Sequence, residues 1–212
     1  ALPISSEGST GLEINAKVES TSATPIKPGV TAYNGVTLIG KGGNGPYYNQ
    51  GVWTRATGSI VSASTVDIKG ENTYSSNNGN MMGAQIQGAV TAAGDITLEG
   101  NTTNASSPNH GLVIQNLVKS TAGNIKVTGS VKNGERVAVS ITGSNAALVT
   151  DAGDKAINMI ADSMDFANAI GILAGTGANS GKGTVNITTK TPGNVIRVDR
   201  KSTRLNSSHD QR

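Results

Sequence analysis

Four aspartates form the one cluster of carboxylates in this 212-residue sequence: Asp151, Asp154, Asp162 and Asp165. Clustered carboxylates can share the acid and base roles in cleaving a glycosidic bond, or they can hold Ca²⁺. These four do not occupy one position at a constant interval, and no basic partner recurs beside them. We therefore expect neither a catalytic site nor a metal site here.

Two other features match known chemical motifs only in part. Residues 40–45, Gly-Lys-Gly-Gly-Asn-Gly, have the spacing of a dinucleotide-binding loop, but such a loop needs a helix after it to receive the pyrophosphate. Residues 46–50 lead into a strand instead, so we interpret 40–45 as a tight corner. His110 follows Pro108-Asn109, and nothing around it supports a Ser-His-Asp triad or a metal site. We interpret His110 as a solvated turn residue.

The few aromatic side chains could stack on sugars. Tyr47, Tyr48, Trp53 and Tyr74 supply nearly all of the aromatic surface, and three of them lie in or beside corresponding corners of a repeat. The same rings could instead cover an apolar interior or a loop, since burial of aromatic area dominates the packing of cores. We favour the covering role, and no binding residue is predicted.

The elements that must position these residues are short strands that recur along the chain. In Ile96-Thr97-Leu98 a polar residue separates two aliphatic residues, the alternation of a strand with one buried face. Six such pairs occur, with steps of 30, 30, 29, 32 and 28 residues between their first members. The pairs are Val36/Leu38, Val66/Ile68, Ile96/Leu98, Ile125/Val127, Ile157/Met159 and Val185/Ile187. The chain therefore has a period of about 30 residues.

Two further series of apolar residues lie within each period. The first begins with glycine, 13 to 15 residues before the next pair, at 51–53, 83–87, 111–115 and 171–173, and residues 11–15 resemble it. The second comprises Ile60-Val61, Ala89-Val90, Leu117-Val118 and Leu148-Val149. Three strands within about 30 residues leave little room for the crossover helices of an α/β fold.

This pattern predicts an all-β fold, a right-handed parallel β-helix. Each strand would pair with its counterpart one repeat later, so that parallel sheets wrap around an apolar axis. We expect six to seven coils of about 30 residues and three short strands each, and a rod on the order of 30 Å long at about 4.8 Å per coil. Pro25 and Pro28 cannot donate to a strand ladder, so the longer segment before Val36 is predicted to be a loop.

The last fourteen residues differ from the rest. Residues 199–209, Asp-Arg-Lys-Ser-Thr-Arg-Leu-Asn-Ser-Ser-His, resemble the codon-by-codon translation of a common sequencing adapter. We therefore expect 1–198 to be the genuine segment, a fragment of a longer protein, and 199–212 to be a disordered artefact. Without the four basic and two acidic residues of this tail, the chain has 13 basic and 12 acidic residues, a net charge of +1 instead of +3. A nucleic-acid partner is therefore not expected.

The sequence contains no cysteine. Disulfides would hinder a passenger that crosses an outer membrane unfolded, and a solenoid whose repeats brace one another does not require them. No apolar run reaches the length of about 18 residues that a membrane-spanning helix needs, so no transmembrane segment is predicted.

Residues 111–129, Gly-Leu-Val-Ile-Gln-Asn-Leu-Val-Lys-Ser-Thr-Ala-Gly-Asn-Ile-Lys-Val-Thr-Gly, contain the repeat in its clearest form. Over residues 11–198 the repeats resemble those of filamentous-haemagglutinin-type exoproteins, large β-helical adhesins that Gram-negative bacteria export by two-partner secretion. The resemblance implies a secreted or cell-surface stalk, an outer-membrane secretion partner, and contact with host-cell surfaces or extracellular carbohydrate or protein. It implies no enzyme and no cofactor, since no functional residue of the family maps onto this chain.

Two alternatives stay open at this point. Autotransporter passengers share the coil pattern, and parallel β-helices also occur in polysaccharide lyases and hydrolases, for which the acids at 151–165 would be the catalytic candidates. In each case a terminal coil without a cap exposes its strand edges and apolar axis. We expect a 1–198 segment to fray around 185–198 and to associate end to end, while the coils near Ile96 and Ile125 stay protected.

Overall fold

The computed structural model describes residues 10–21, 35–43, 49–73, 81–103, 109–132, 137–177 and 182–194. Several of the features interpreted above lie outside these residues. They are the adapter-like segment 199–212, the loop with Pro25 and Pro28, residues 44–45 of the predicted glycine-rich corner, and Tyr47, Tyr48 and Tyr74. The corner interpretation is wrong for residues 40–42, which continue the strand that begins at Val36.

The described residues form eighteen strands in three parallel sheets of six. The first sheet contains β1 (Leu12–Ile14), β4 (Asn49–Thr54), β7 (Met81–Ile86), β10 (Asn109–Ile114), β13 (Val139–Ile141) and β16 (Met164–Asp165). The second contains β2 (Lys17–Ser20), β5 (Ser59–Ser62), β8 (Ala89–Ala92), β11 (Leu117–Ser120), β14 (Ala147–Thr150) and β17 (Gly171–Ala174). The third contains β3 (Val36–Gly42), β6 (Val66–Asn72), β9 (Ile96–Thr102), β12 (Ile125–Val131), β15 (Ala156–Ile160) and β18 (Thr184–Thr188).

Each strand pairs with the strand three places later in the chain, so every coil contributes one strand to each sheet. The chain is therefore a β-solenoid with three strands and about 30 residues per coil, as predicted. The described strands form six coils, the lower end of the predicted six to seven. The hand of the coil stays a prediction.

The third sheet follows the predicted register throughout. Val36, Val66, Ile96, Ile125, Ile157 and Val185 stand opposite one another on successive strands. The second members of the six pairs, from Leu38 to Ile187, form a parallel column two residues further along. We call these two columns the aliphatic columns. The residues between them point away from the axis, because side chains alternate across a strand.

The glycine-led series requires one correction. Residues 11–15, 51–53, 83–87 and 111–115 supply strands of the first sheet, as a single series should. Gly171, however, stands opposite Ala147 in the second sheet. In the sixth coil, the strand of the first sheet is β16, which has two residues and no glycine before it. Gly171 therefore begins the next strand of that coil, β17, which lies in the second sheet.

The core lies along the axis of the solenoid, where all three sheets turn aliphatic residues inward. In the middle coils these side chains are fully buried, as for Val52 in the first sheet, Ile60 in the second and Ile68 in the third. Burial of aliphatic surface stabilises such a stack by about 25 cal/mol per Å² removed from water. Because each coil covers the next, a repeat is stable only within the array.

Glycine is required where the third sheet meets the first. A Cβ on Gly70 would meet the carbonyl oxygen of Gly83, and a Cβ on Gly100 would meet that of Gly111. Both contacts are closer than real Cβ atoms show, and both involve backbone, which cannot move aside easily. The close approach of the two sheets at this corner therefore depends on the missing side chain.

The first sheet is buried on both of its faces in its inner strands, whereas β1 and β16 are only partly buried. One outward column contains Trp53, Gln85, Val113 and Ser140, all of which are buried. The equivalent outward residues of the second sheet, such as Thr91 and Lys119, are only partly buried. The outer face of the first sheet thus contains polar groups that must find partners within the protein.

Candidate functional site

The first two aspartates of the cluster bind side chains near the second sheet. Asp151 follows β14, and its carboxylate accepts a hydrogen bond from Thr176 Oγ1 at 3.1 Å and lies 2.9 Å from Lys119 Nζ. Asp154, in the turn before β15, lies 3.1 Å from Nζ of Lys155, whose hydrogen bond and charge lower the pKa of Asp154. Both carboxylates thus bind neighbouring side chains.

The other two aspartates bind backbone near the third and first sheets. Asp162 follows β15 and accepts hydrogen bonds from Thr191 Oγ1 at 2.6 Å and Thr191 N at 2.7 Å, which lower the pKa of Asp162. Asp165 lies in β16 and accepts the backbone N–H of Ala167 at 3.1 Å. A raised pKa, the usual property of a general acid, is found at neither Asp154 nor Asp162.

The four acids therefore form two pairs on different sides of the coil, one between β14 and β15 and one after β15. Among the residues that the structure describes, no group of three His, Cys, Asp or Glu side chains could hold a metal ion. The arrangement supports local structure: Asp151 and Asp162 each bridge to a residue 25 or 29 positions later, one coil further along.

The interpretation of His110 as a turn residue is wrong. His110 is the second residue of β10, stands opposite Met82 of β7 and is only partly exposed. The strand begins at Asn109, so the ladder of the first sheet extends further toward the corner than the aliphatic pattern indicates.

The side chain of Trp53 is buried in the outward column of the first sheet and not over the apolar axis. Its side chain is only 7% exposed, and the guanidinium of Arg55 lies 3.3 Å from the ring centroid. The indole Nε1 donates to Gln87 Oε1 at 3.0 Å, and Arg55 Nε lies 2.6 Å from Glu13 Oε1. The ring face that a sugar would need is thus occupied by a cation–π contact.

A chain of side-chain amides runs beside Trp53 along the axis of the solenoid. Thr10 Oγ1 donates to Gln50 Oε1 at 3.1 Å, Gln50 Nε2 donates to Gln85 Oε1 at 3.3 Å, and Gln85 Nε2 donates to Gln115 Oε1 at 2.9 Å. We call Gln50, Gln85 and Gln115 the amide ladder. Gln50 is fully buried, so these bonds satisfy groups that would otherwise be costly to bury.

Sequence reasoning missed the amide ladder. Gln50 lies at the start of β4, Gln85 near the end of β7, and Gln115 just after β10. A search at one constant interval cannot find side chains that reach each other from different strand positions. The only available signal was the position of the three glutamines, with Gln50 directly before a glycine-led segment and Gln85 and Gln115 within two others.

The known proteins provide no closer identification. Comparison with protein families, with curated proteins and with solved structures gave no match. The solenoid is compatible with the β-helical repeats that the sequence resembles, but this fold is not specific to adhesins. Function must therefore be argued from the described residues.

No helix within the described ranges has the length and apolar character needed to cross a membrane.

Proposed function

We propose that this chain is a stalk segment of a secreted or surface-exposed bacterial adhesin of the filamentous-haemagglutinin type. Its task is to give length and stiffness to the exoprotein, which places a binding region away from the cell. The support is the continuous parallel register of six strands in each of three sheets. A parallel stack of this kind advances about 4.8 Å with every coil and can extend as far as repeats are added.

The use of the charged side chains supports the same role. Lys69 pairs with Glu99 across neighbouring coils at 3.5 Å, and Lys119 pairs with Asp151 at 2.9 Å. Asp162 and Trp53 likewise bind residues one coil away. These charged and polar side chains thus form ion pairs and hydrogen bonds between neighbouring coils. Such contacts stabilise the stack, as a stalk requires.

The absence of cysteine from the sequence supports export in an unfolded state. A disulfide would close a loop in the chain before it crosses the outer membrane, whereas a cysteine-free solenoid can fold coil by coil outside the cell. In this proposal the outer-membrane secretion partner is the one obligatory partner of the segment, and a host-cell or extracellular ligand contacts the parent adhesin.

The test is surface display. The chain would be fused behind the N-terminal secretion domain of a two-partner exoprotein in a Gram-negative host that produces the matching outer-membrane transporter. We expect the chain outside the cell, resistant to protease, and dependent on the transporter. A matched variant, Ile96→Asp, should be exported as well but be degraded, because folding outside the cell would fail. Retention of the unchanged chain in the periplasm would refute the proposal.

The same material tests the enzymatic alternative. Purified chain would be incubated with acidic and neutral polysaccharides, and the release of new reducing ends would be measured. The stalk proposal expects no release with the unchanged chain or with Asp151→Asn and Asp162→Asn. Release that disappears in either variant would favour a lyase or hydrolase over a stalk.

A further inference from the structure

Four side chains on the outer face of the third sheet form a connected network across three neighbouring coils. Lys69 lies in β6, Glu99 and Asn101 lie in β9, and Ser130 lies in β12. The same oxygen of Glu99, Oε1, lies 3.5 Å from Lys69 Nζ and accepts a hydrogen bond from Asn101 Nδ2 at 2.5 Å. Ser130 Oγ donates to Asn101 Oδ1 at 2.5 Å. An amine, a carboxylate and a carboxamide thus meet at one place.

The register of the sheet holds these groups together. Glu99 stands directly opposite Lys69, and Asn101 stands two residues further along the strand of Glu99. Diagonal neighbours on one face of a sheet are about 7 to 8 Å apart, so the long side chain of Lys69 can reach the carboxamide of Asn101. A carboxylate only accepts hydrogen bonds, so Asn101 must turn its NH₂ group toward Glu99 and its oxygen toward Ser130.

The network contains the groups that an amide-transfer reaction needs. Nζ of Lys69 is a nucleophile once it is neutral, and Cγ of Asn101 is the electrophile. Glu99 contacts both the attacking nitrogen and the leaving nitrogen, which is the position of a proton carrier. The hydroxyl of Ser130 donates to the oxygen that becomes negative in a tetrahedral intermediate, which is the position of an oxyanion-stabilising donor.

We propose that Lys69 and Asn101 form an isopeptide bond, which joins the second coil covalently to the third. The lone pair of neutral Nζ attacks Cγ of Asn101, and Glu99 carries one proton from Nζ to Nδ2. The bond between Cγ and Nδ2 then breaks, ammonia leaves, and Glu99 returns to its starting state. One C–N bond replaces another, so the reaction is balanced without an oxidant or a second substrate.

Only the folded chain brings the two reacting residues together. Lys69 and Asn101 are 32 residues apart in the sequence and meet when the third coil stacks on the second. The bond would therefore form after folding and link two coils of a chain that contains no cysteine. The cross-link agrees with export in an unfolded state but does not depend on it, since failed export would leave the network unchanged.

Cross-linking should be slow at neutral pH and faster in base. The side chain of Lys69 is 49% exposed, and an exposed lysine amine is protonated at neutral pH, which removes its lone pair. The charged residues at neighbouring outward positions are Asp67 and Glu71 on the same strand, Glu99 on β9 and Lys41 on β3. Carboxylates do not titrate in the alkaline range, so the lysine amines control the pH dependence. The rate should rise about tenfold per pH unit until the amine is neutral.

The experiment is mass spectrometry of the full chain before and after prolonged incubation at about pH 9.5. The intact protein should lose the mass of one ammonia molecule, and digestion should release a branched peptide that joins Lys69 to Asn101. Hydrolytic deamidation of Asn101 raises the mass instead, so the two reactions are distinguished. Deamidation alone, or an unchanged mass, in a chain that stays folded by circular dichroism would overturn the proposal.

Three variants test which residues react. Lys69→Arg keeps the positive charge but removes the amine, and Asn101→Asp has no ammonia to release, so neither should form the branched peptide. Lys126→Arg is the matched control, because Lys126 lies on the next strand, opposite Thr97, and takes no part in the network. It should cross-link like the unchanged chain. Loss of ammonia that persists in Lys69→Arg would refute the assignment of the nucleophile.

Two further variants test the proton carrier and the hydroxyl donor. Glu99→Gln and Ser130→Ala should each slow cross-linking by about tenfold or more, because each removes a group that acts on the reacting amide. Both positions are on the outer face and only partly buried, so the urea midpoints should change little. The rate of ammonia release therefore reports the chemistry separately from folding. Unchanged rates in both variants would contradict the proposed mechanism.

Discussion

Adjacent residues of one strand differ completely in environment. Ile96 is fully buried in an aliphatic column, between Val66 and Ile125. Thr97 faces outward and lies between Asp67 and Lys126. The same substitution at these two positions therefore distinguishes the free-energy cost of placing a residue in the core from the cost of placing it on the outer face of a strand.

We expect Ile96→Asp to destabilise the protein by at least about 3 kcal/mol, because it buries an unpaired charge and leaves a cavity. Thr97→Asp should stay within about 0.5 kcal/mol, since it remains solvated and adds one repulsive and one attractive neighbour. Urea unfolding followed by circular dichroism would measure both. Equal midpoints for the two variants would contradict the inward assignment of Ile96.

A glycine pair tests the corner between the third and first sheets. In Gly100→Ala the new Cβ would meet the backbone of Gly111, whereas in Gly171→Ala the nearest atom is Leu173 Cγ at 3.5 Å, an ordinary contact. We expect Gly100→Ala to cost about 1 to 3 kcal/mol through overpacking. Gly171→Ala should be neutral or slightly stabilising, because it restricts the unfolded chain. Thermal unfolding measures both, and a neutral Gly100→Ala would show that the two sheets are further apart at this corner.

Among the elements, the amide ladder adds side-chain hydrogen bonds between strands of successive coils that already pair through their backbones. Gln85 is its centre, since it accepts from Gln50 and donates to Gln115. We expect Gln85→Leu to cost about 1 to 3 kcal/mol, because it leaves the buried Nε2 of Gln50 without its acceptor.

A double-variant cycle distinguishes this loss from simple repacking. Gln50→Leu should cost less in the Gln85→Leu background than in the unchanged protein, with a coupling of about 0.5 kcal/mol or more. Denaturant midpoints of the four proteins provide the coupling free energy. Additive losses would mean that Gln50 and Gln85 do not depend on each other.

Asp162, which follows β15, forms hydrogen bonds with the segment that follows β18. Hydrogen bonds from Thr191 Oγ1 and N lower the pKa of Asp162 below its usual value. A carboxylate whose folded-state pKa is lowered stabilises the fold above its unfolded pKa, about 4, and loses that contribution as pH falls through the folded value. Thr191→Val should therefore raise the pKa of Asp162 and weaken the last coil at neutral pH.

The difference between Thr191→Val and the unchanged protein should disappear in strong acid, where Asp162 is protonated in both. Carboxyl carbon chemical shifts followed during an acid titration would report the pKa directly. An identical titration of Asp162 in the two proteins would show that the hydroxyl of Thr191 contributes nothing to this site.

The sequence predicts elements well where the chain repeats and poorly where it does not. The aliphatic columns have the register expected from the intervals between the six pairs, since each coil must place an aliphatic residue above another. β13 and β16 were not recognised, because neither Val139-Ser140-Ile141 nor Met164-Asp165 has a leading glycine, and β16 has only two residues. The contacts at the candidate site are even harder to predict from the sequence. The partners of Asp162 and Gln85 depend on how far each side chain extends and not on a constant interval between residues.

At the scale of the whole molecule, the distribution of burial along the rod is uneven. All five residues of β18 are exposed, whereas β9 and β12 pair on both edges and have inward residues that are fully buried. Opening of a terminal coil breaks contacts on one side only, and opening of a central coil breaks contacts on both. Stability should therefore fall toward the C-terminal end of the described solenoid.

Hydrogen exchange resolved along the chain would measure this gradient. We expect the amides of β18 that bond to β15 to exchange through local opening, and those of β9 and β12 only through global unfolding. The gradient is read in dilute solution, where molecules are separate. Protection of β18 equal to that of β12 under dilute conditions would contradict the exposed end, and the aliphatic columns would then have to be covered by the chain itself.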